Sequence, residues 1–482
     1  RGNAMRSIRI NPLDNVAVML DDSSPEVPRG HKFALRDIAA GENIIKYGLP
    51  IGHATCAIRR NEHVHTHNMK TNLDRILEYV YNPVEIPQNA SSERITFSGF
   101  RRRGGAAGIR NHIFIVPTVG CVNRLARTLA ERLNRTLPAG SVDRAVALEH
   151  PYGCSQLGGD HEMTRAILCG LVHHPNAGGV LVVGLGCENN TIDSFREKLG
   201  DFDPERIRFL VAQNEEDDCG AGMKILNELV GLASKDVRTE IPIRELVVGL
   251  KCGGSDGLSG ITANPLVGRF SDFLTAHGGS TILSEVPEMF GAETLLMARC
   301  RSREVFEKCV TMINDFKRYF TRYGQAIYEN PSPGNKAGGI STLEDKSLGC
   351  TQKAGSSAVC DVLLPGEHVR EKGLNLLTGP GNDMVASTLL AASGAQLILF
   401  TTGRGTPFGS VVPTMKIASN SALSGFKRNW IDFDAGRVLD RDPDTVDREF
   451  REAVLAVLNG KETANERGGY EEIAIFKDGV TL

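Results

Sequence analysis

The chain has 482 residues, 41% of them hydrophobic and 23% charged, with a formal net charge of −3. That is enough apolar material for two large packed units or three smaller ones. The near-neutral balance gives no basic field for nucleic acid or an anionic membrane surface, so small molecules are the expected ligands. No apolar run reaches the length of a membrane span. Arg1–Ala4, ahead of Met5 read as the native start, lack the apolar stretch of a secretory signal. Eleven cysteines in a long chain of this kind argue for reduced thiols in a cytoplasm rather than a disulfide scaffold.

The first apolar pieces, Val16–Leu20, His31–Leu35 and Asn43–Tyr47, are short and broken by glycine. They suit a small, turn-rich β domain better than helices. His63, His65 and His67 follow in HVHTHN; at alternating positions of a strand they point to one face, where they form either a metal site or a solvated histidine edge. A stretch rich in proline and small polar residues, Asn82–Ser92, reads as a linker.

Beyond it the texture becomes strand, glycine turn, helix, repeated. Expected strands are Ile113–Val116, Ala145–Leu148, Val180–Val183, Arg208–Val211, Leu246–Gly249, Thr281–Ser284 and Gln396–Phe400, with helical patterns such as Asn123–Leu133 and Asp193–Leu199 between them. Such alternation predicts parallel sheets with right-handed crossovers. A softer boundary falls near Ser234–Pro242.

Four of these strands end in a glycine turn that carries a cysteine: Cys121, Cys154, Cys187 and Cys252. The carboxyl ends of parallel strands line a ligand-binding crevice, so the four thiols are expected to share one rim. A single cysteine is more often a small buried hydrophobe, but four at equivalent addresses point to metal ligation or thiol chemistry. No CxxC pair is present, which argues against a zinc ribbon or a thioredoxin-type dithiol. The remaining cysteines read as structural, with Cys350 undecided.

Three loops carry donors for an oxygen-rich anion. The turn Lys251–Asn264 (KCGGSDGLSGITAN) combines glycines with Ser255, Asp256 and Asn264; Thr401–Gly409 adds Arg404; Asn330–Gly339 adds Asn335 and Lys336. Together they suit a polyhydroxy acid. Acid–base candidates are His150, Glu285 and Lys251. A complete GxGxxG leading into a helix, the mark of a nicotinamide oxidoreductase, is not found.

The segments HKFALRDIAAGENIIKYGLPIG, EHVHTHN, GCENN, KCGGSDGLSGITANPLVG, SEVPEMFGAE, NPSPGNKAGGISTLEDKSLGCTQKAG and FTTGRGTPFGS, in this order, resemble the altronate and galactarate dehydratase family over nearly the whole chain. The HVHTHN segment looks like the altronate branch. The resemblance implies an antifreeze-like β-clip (SAF-type) domain at residues 5–81 and a linker at 82–94. Two Rossmann-like parallel-sheet α/β units then follow at 95–236 and 237–482. It also implies a cytoplasmic hydro-lyase of sugar-acid catabolism, acting on altronate to give 2-dehydro-3-deoxy-gluconate, with galactarate as the alternative substrate. A divalent ion is implied, Fe2+ or else Mn2+; the number of thiols leaves an iron–sulfur cluster open. A homo-oligomer is expected, with a small sugar acid as the partner.

On this reading the ion falls to Cys121, Cys154, Cys187 and Cys252, or to His63, His65 and His67. Proton transfer is assigned to His150, Glu285 and Lys251, and substrate positioning to Ser255, Asp256, Asn264, Asn335, Lys336 and Arg404.

Overall fold

The computed structural model describes residues 6–22, 24–87, 90–328 and 330–479; Met5, the expected start, lies outside the described residues. The first 70 or so residues form two small antiparallel sheets. One runs Ser7–Ile8, Val16–Met19, Lys32–Ala34, His63–Val64, and the other Asn43–Lys46, Leu49–Ala54, Met69–Lys70. The hairpin between Asn43–Lys46 and Leu49–Ala54 turns on Tyr47 and Gly48, both left-handed at φ 59° and 77°, the backbone a tight two-residue connection demands. The glycine-broken pieces are therefore strands. Residues 81–87 run without regular structure.

A four-stranded, wholly parallel sheet follows, in the order Ala145–Ala147, His112–Pro117, Ala177–Gly184, Ile207–Val211. Its central strand is buried throughout, because both faces are covered. Ile113 and Ile115 meet Leu129 and Leu133 of helix Asn123–Thr136 and Leu226 and Leu229 of helix Asp218–Ala233. Phe114 and Val116 meet Leu168 and Leu171 of helix Gly159–Val172 and Phe195 of helix Ile192–Leu199. Alternate side chains thus feed two layers, the doubly wound arrangement expected of the pattern.

The third unit is built on seven parallel strands, in the order Val359–Leu363, Gly373–Leu377, Ser280–Leu283, Val247–Cys252, Leu397–Thr402, Thr414–Ala418, Phe433–Asp434. The chain enters at Val247–Cys252, builds outward on one side, then returns to Leu397–Thr402 on the other. The crevice beyond the carboxyl ends of those two strands is the topological switch point, where ligands of open α/β sheets bind. Helix Gly159–Val172 packs on helix Asp383–Ala392, and His174 Nε2 donates to the Ala395 carbonyl at 2.9 Å. The two parallel sheets therefore share one layer of core.

All seven expected strands are present; the length differs most at Val180–Val183, which extends to Ala177–Gly184. The histidine triplet departs from its expected strand. The strand ends at Val64, and His65 and His67 lie in the turn that follows.

Candidate active site

At the switch point of the large sheet the last strand residues are Lys251 and Cys252, 0% and 1% exposed. Lys251 Nζ donates to the Glu285 carboxylate and to the Cys252 carbonyl, and to Asp383 Oδ1 at 2.8 Å. Asp383 opens the helix Asp383–Ala392, and its side chain is 38% exposed. It is the link from the buried ammonium to solvent. Glu285, two residues past the neighbouring strand Ser280–Leu283, has a left-handed backbone, φ 68°. For a residue with a Cβ this conformation costs on the order of 1–3 kcal/mol and persists only where the surroundings impose it.

Around this pair converge residues from the loops that follow. Lys353 Nζ lies 2.8 Å from Cys252 Sγ and 3.5 Å from Glu285. Glu288 Oε2 lies 3.0 Å from the same sulfur, and Cys350 Sγ 3.4 Å from it. Lys346 Nζ pairs with Glu288 at 2.8 Å. Three ammoniums, three carboxylates and two thiols therefore share one centre, balanced when both sulfurs are protonated and one charge negative when Cys252 is a thiolate. Such a cluster has protons to exchange.

Burial alone would discharge Lys251, but Glu285 and Asp383 hold it charged, its pKa well above the ordinary lysine value. Burial and the neighbouring Glu288 push Glu285 up, against the pull of Lys251 and Lys353. Glu288 is buried too, yet Lys346, Lys251 and Lys353 keep it below the usual carboxylate range. Cys350 is pushed up by its hydrogen bond to Cys252 and by burial. Two acids three residues apart thus differ in affinity for a proton: Glu285 is the one suited to accept a proton, beside a Lys251 that is held charged.

Above the cluster sits the glycine turn. Asp256 accepts from Ser259 N at 2.9 Å, Ser419 Oγ at 2.8 Å and Asn420 Nδ2 at 3.1 Å. Its carboxylate is committed to fixing the turn. Asn264 is held between the Gly349 carbonyl, 3.0 Å from its Nδ2, and Thr401 Oγ1, 2.6 Å from its Oδ1. Asn335 donates to the Ser255 carbonyl at 2.8 Å, tying the loop Asn330–Gly339 to the cradle. Ser255 and Asn264 line a narrow cavity with Lys46, Lys346 and Cys350. Arg404 donates to the Gly334 carbonyl at 3.3 Å but is otherwise exposed, as is Lys336, so these two cations stand at the mouth.

The N-terminal sheets close the other side. A Cβ on Gly257 would sit 1.9 Å from the Gly30 carbonyl oxygen, so the two backbones touch only because there is none. Lys32, fully buried, reaches across to the Gly339 carbonyl, Ser341 Oγ and Asp345 Oδ2 at 2.7, 2.8 and 2.8 Å. Lys46 binds the other Asp345 oxygen at 2.8 Å. Beside them stand His31, His63, His65 and His67, with ring centroids 5.0–5.5 Å apart. His31 Nε2 donates to the Ala337 carbonyl at 3.2 Å, which leaves Nδ1 to accept from His63 Nε2 at 3.0 Å. His65 Nδ1 meets Ser341 Oγ at 2.8 Å. Partial burial lowers His63 to about 4 and His65 to about 3, so these rings are neutral near pH 7.

The structure thus brings together Lys251, Cys252, Glu285, Ser255, Asp256, Asn264 and Asn335, with Arg404 and Lys336 at the rim. It does not bring the four turn cysteines to one rim. Cys121, Cys154 and Cys187 follow strands of the four-stranded sheet, and Cys252 belongs to the other. His150 is spent on the backbone: Nε2 donates to the Pro117 carbonyl at 2.8 Å and Nδ1 accepts from Tyr152 N at 3.2 Å. Burial lowers it to about 4. Among the described residues, the group whose ligand atoms lie within 4.8 Å of one another is Cys252, Glu288 and Cys350, three donors able to hold a metal ion.

Sequence reasoning did not single out His31, Glu288, Lys346 or Lys353. Glu288 follows Glu285 by one helical turn in SEVPE, and Lys346, Cys350 and Lys353 share the spacing of one helical face. That periodicity was the available signal.

A doubly wound α/β chain with buried lysine, carboxylate and thiol groups beneath a glycine cradle has the architecture of an enzyme with titratable groups at its switch point. Family comparison makes the class specific. Residues 243–481 match the C-terminal domain of D-galactarate/altronate dehydratase, 99–234 the second domain of D-galactarate dehydratase/altronate hydrolase, and 5–72 the altronate/galactarate dehydratase SAF domain. The chain belongs to the altronate/galactarate dehydratase family. It is 53% identical to altronate dehydratase of Escherichia coli K12, across 99% of this chain and 100% of that one. It is equally close to altronate dehydratase of Bacillus subtilis 168, across 98% and 99%. Identity to galactarate dehydratase (L-threo-forming) of E. coli K12 is 31%, across 97% and 96%.

Proposed function

We propose that this chain dehydrates altronate to 2-dehydro-3-deoxy-gluconate. The observation that carries the reading is the contrast in identity, 53% to altronate dehydratases against 31% to a galactarate dehydratase, each over nearly the full length. The two substrates differ at one terminus, alcohol against carboxylate, and a carboxylate there calls for a second cationic clamp.

In this reading Arg404 and Lys336 draw the carboxylate to the mouth, and the amides and hydroxyls of the cradle orient the chain of hydroxyls. Glu285 takes the proton from the carbon beside the carboxylate. Lys251, held charged, gives a proton to the departing 3-hydroxyl. The lost hydrogen and hydroxyl together make one water, and the enol left behind tautomerises to the 2-keto product without a redox cofactor.

A divalent ion fits Cys252, Glu288 and Cys350, because two thiolates and a carboxylate form a mixed donor set suited to iron-type ions. Loading requires Cys350 to lose its proton and Lys353 to move off Cys252, so binding strengthens as pH rises. Bound there, the ion would supply Lewis-acid stabilisation of charge developing on the substrate. Iron is favoured over manganese by the sulfur donors. The histidine group is the competing set: His31 is bonded through both ring nitrogens, and His63 and His65 through one each.

All eleven cysteines are free, which supports a reducing compartment, the cytoplasm. Among the described residues, no helix is long and apolar enough to cross a membrane.

Turnover of altronate and galactarate with ferrous iron under reducing conditions, read as 2-keto acid by semicarbazide, tests the substrate. Altronate is expected to have the higher kcat/KM by at least about tenfold, some 1.4 kcal/mol; a preference for galactarate overturns the reading.

A further inference from the structure

The four-stranded sheet has a switch point of its own. The chain enters at His112–Pro117, places Ala145–Ala147 on one side and Ala177–Gly184 on the other. The crevice beyond the carboxyl ends of these strands is where such a sheet binds a ligand. Each of the three turns that follow these strands carries a thiol. Cys121 follows the first strand, Cys154 the second and Cys187 the third.

The turns that carry them are laced into one body. Gly120 N donates to the Tyr152 carbonyl and Asn190 N to the Gly153 carbonyl, both at 2.9 Å, and Asn190 Nδ2 donates to the Thr118 carbonyl at 3.0 Å. A Cβ on Gly153 would lie 2.0 Å from the Thr118 oxygen, so the first and second turns are in backbone contact. Glu188, beside Cys187, spends its carboxylate on Thr118 Oγ1 and the amides of Leu185 and Gly186, at 2.7, 3.0 and 2.6 Å. His150 locks the second turn through both ring nitrogens. The acid and the imidazole of this rim are structural, and the sulfurs are what it presents.

Free cysteine is among the most buried residue types, yet Cys121 and Cys187 are exposed and Cys154 is only half-buried. Their polar neighbours are neutral amides: Asn189 Oδ1 lies 3.3 Å from Cys154 Sγ and Gln213 Nε2 lies 3.5 Å from Cys187 Sγ. These three thiols do not form a group within 4.8 Å of one another. A single four-coordinate ion, with metal–sulfur bonds of about 2.3 Å, would draw its thiolates to within about 4 Å. A cluster whose thiolates sit on separate irons spreads them wider.

We infer that Cys121, Cys154 and Cys187 hold an iron–sulfur cluster at the rim of the four-stranded sheet, with three irons ligated by thiolate and one open to an oxygen ligand. This centre is distinct from Lys251, Glu285 and the Cys252 group, and it stands whether or not altronate is the substrate.

The test is anaerobic isolation of the full chain, reconstituted with ferric iron, dithiothreitol and sulfide, followed by iron and acid-labile sulfide assays and by electron paramagnetic resonance after reduction. About four irons and four sulfides per chain are expected. They should be lost in Cys121→Ser, Cys154→Ser and Cys187→Ser and retained in Cys252→Ser and Cys56→Ser, with circular dichroism showing every variant folded. Cys187→Ala repeats the test without a hydroxyl that could substitute as ligand. Wild-type protein without sulfide, a zinc ion in its place, or a cluster that survives the loss of all three rim thiols overturns the inference. A cluster lost only in Cys252→Ser moves it to the other sheet and overturns it as well.

Discussion

The two parallel sheets solve the same topological problem and fill the result with opposite chemistry. At the seven-stranded switch point the side chains are mostly buried, charged and mutually neutralising, Lys251 against Glu285 and the half-buried Asp383, Lys346 against Glu288. At the four-stranded one Glu188 and His150 are buried and spent on fixing the turns, and the sulfurs, two exposed and one half-buried, have neutral amides as neighbours. A buried charge must find a partner or be neutralised, an ammonium by losing a proton and a carboxylate by gaining one, so the first crevice suits the proton transfer we propose for it. An accessible thiol amid neutral amides is free to take a soft metal. The comparison teaches that topology sets where a site lies, and the residues at strand ends set what it does.

Lys251→Met should separate the two crevices most sharply. Turnover is expected to fall about 10³- to 10⁴-fold through loss of an acid–base group. Stability is expected to fall by about 3–5 kcal/mol, because Glu285 keeps its burial and loses its nearest cation. Steady-state kinetics and denaturant unfolding check both; a variant with wild-type turnover removes Lys251 from the chemistry. The iron of the rim should be untouched.

Gly257→Ala tests whether the N-terminal sheets complete the first crevice. Its Cβ cannot coexist with Gly30 at 1.9 Å, so the seam must open. A loss of about 2–4 kcal/mol in unfolding free energy is expected, with turnover reduced more than in variants of the exposed rim. Unchanged stability and rate would mean that the seam yields without consequence.

Arg404→Gln should act on binding alone. An exposed guanidinium that meets the substrate carboxylate contributes about 1–2 kcal/mol of recognition, so KM should rise about tenfold with kcat within a factor of two or three. Stability should stay within about 0.5 kcal/mol of wild type. A kcat loss with unchanged KM would place Arg404 in the chemical step.

An effect confined to acid pH concerns the contact between the sheets. Burial lowers His174 to about 3 while its Nε2 donates to Ala395. The unfolded chain takes up this proton below about pH 6.5, and the folded chain does not until about pH 3. The stability from neutral His174 is therefore full above pH 6.5 and is lost as pH falls toward 3, by about 1.4 kcal/mol per unit in the steep part. His174→Gln should flatten the fall of unfolding free energy between pH 6.5 and 4.5 by about one proton. An unchanged slope would contradict the assignment.

Much of the fold was legible because parallel strands covered on both faces are short, unbroken apolar runs. IFIV at 113–116 and VLVV at 180–183 can be little else between glycine turns. The positions of Lys251, Cys252 and Glu285 were legible for the same reason, since strand ends announce a crevice. Pooling four thiols at one rim failed because strand ends alone do not say which sheet a strand joins, and Cys252 joins the second. The histidine triplet was half legible: its rings do converge, but across a turn after Val64 and with His31, which precedes the neighbouring strand Lys32–Ala34. Lys346, Cys350 and Lys353 reach the site from the segment 343–354, about a hundred residues downstream of Cys252, and no local pattern ties that segment to Val247–Cys252.

The central claim is that dehydration is carried out by the proton pair at the end of Val247–Cys252. Glu285→Gln tests it most directly, because the amide keeps the shape and the hydrogen bond to Lys251 while removing the base. Rates of 2-keto acid formation from altronate, measured beside the melting curve, should show turnover down by at least about 10²-fold in a folded protein. A Glu285→Gln enzyme that dehydrates altronate at the wild-type rate would contradict the account.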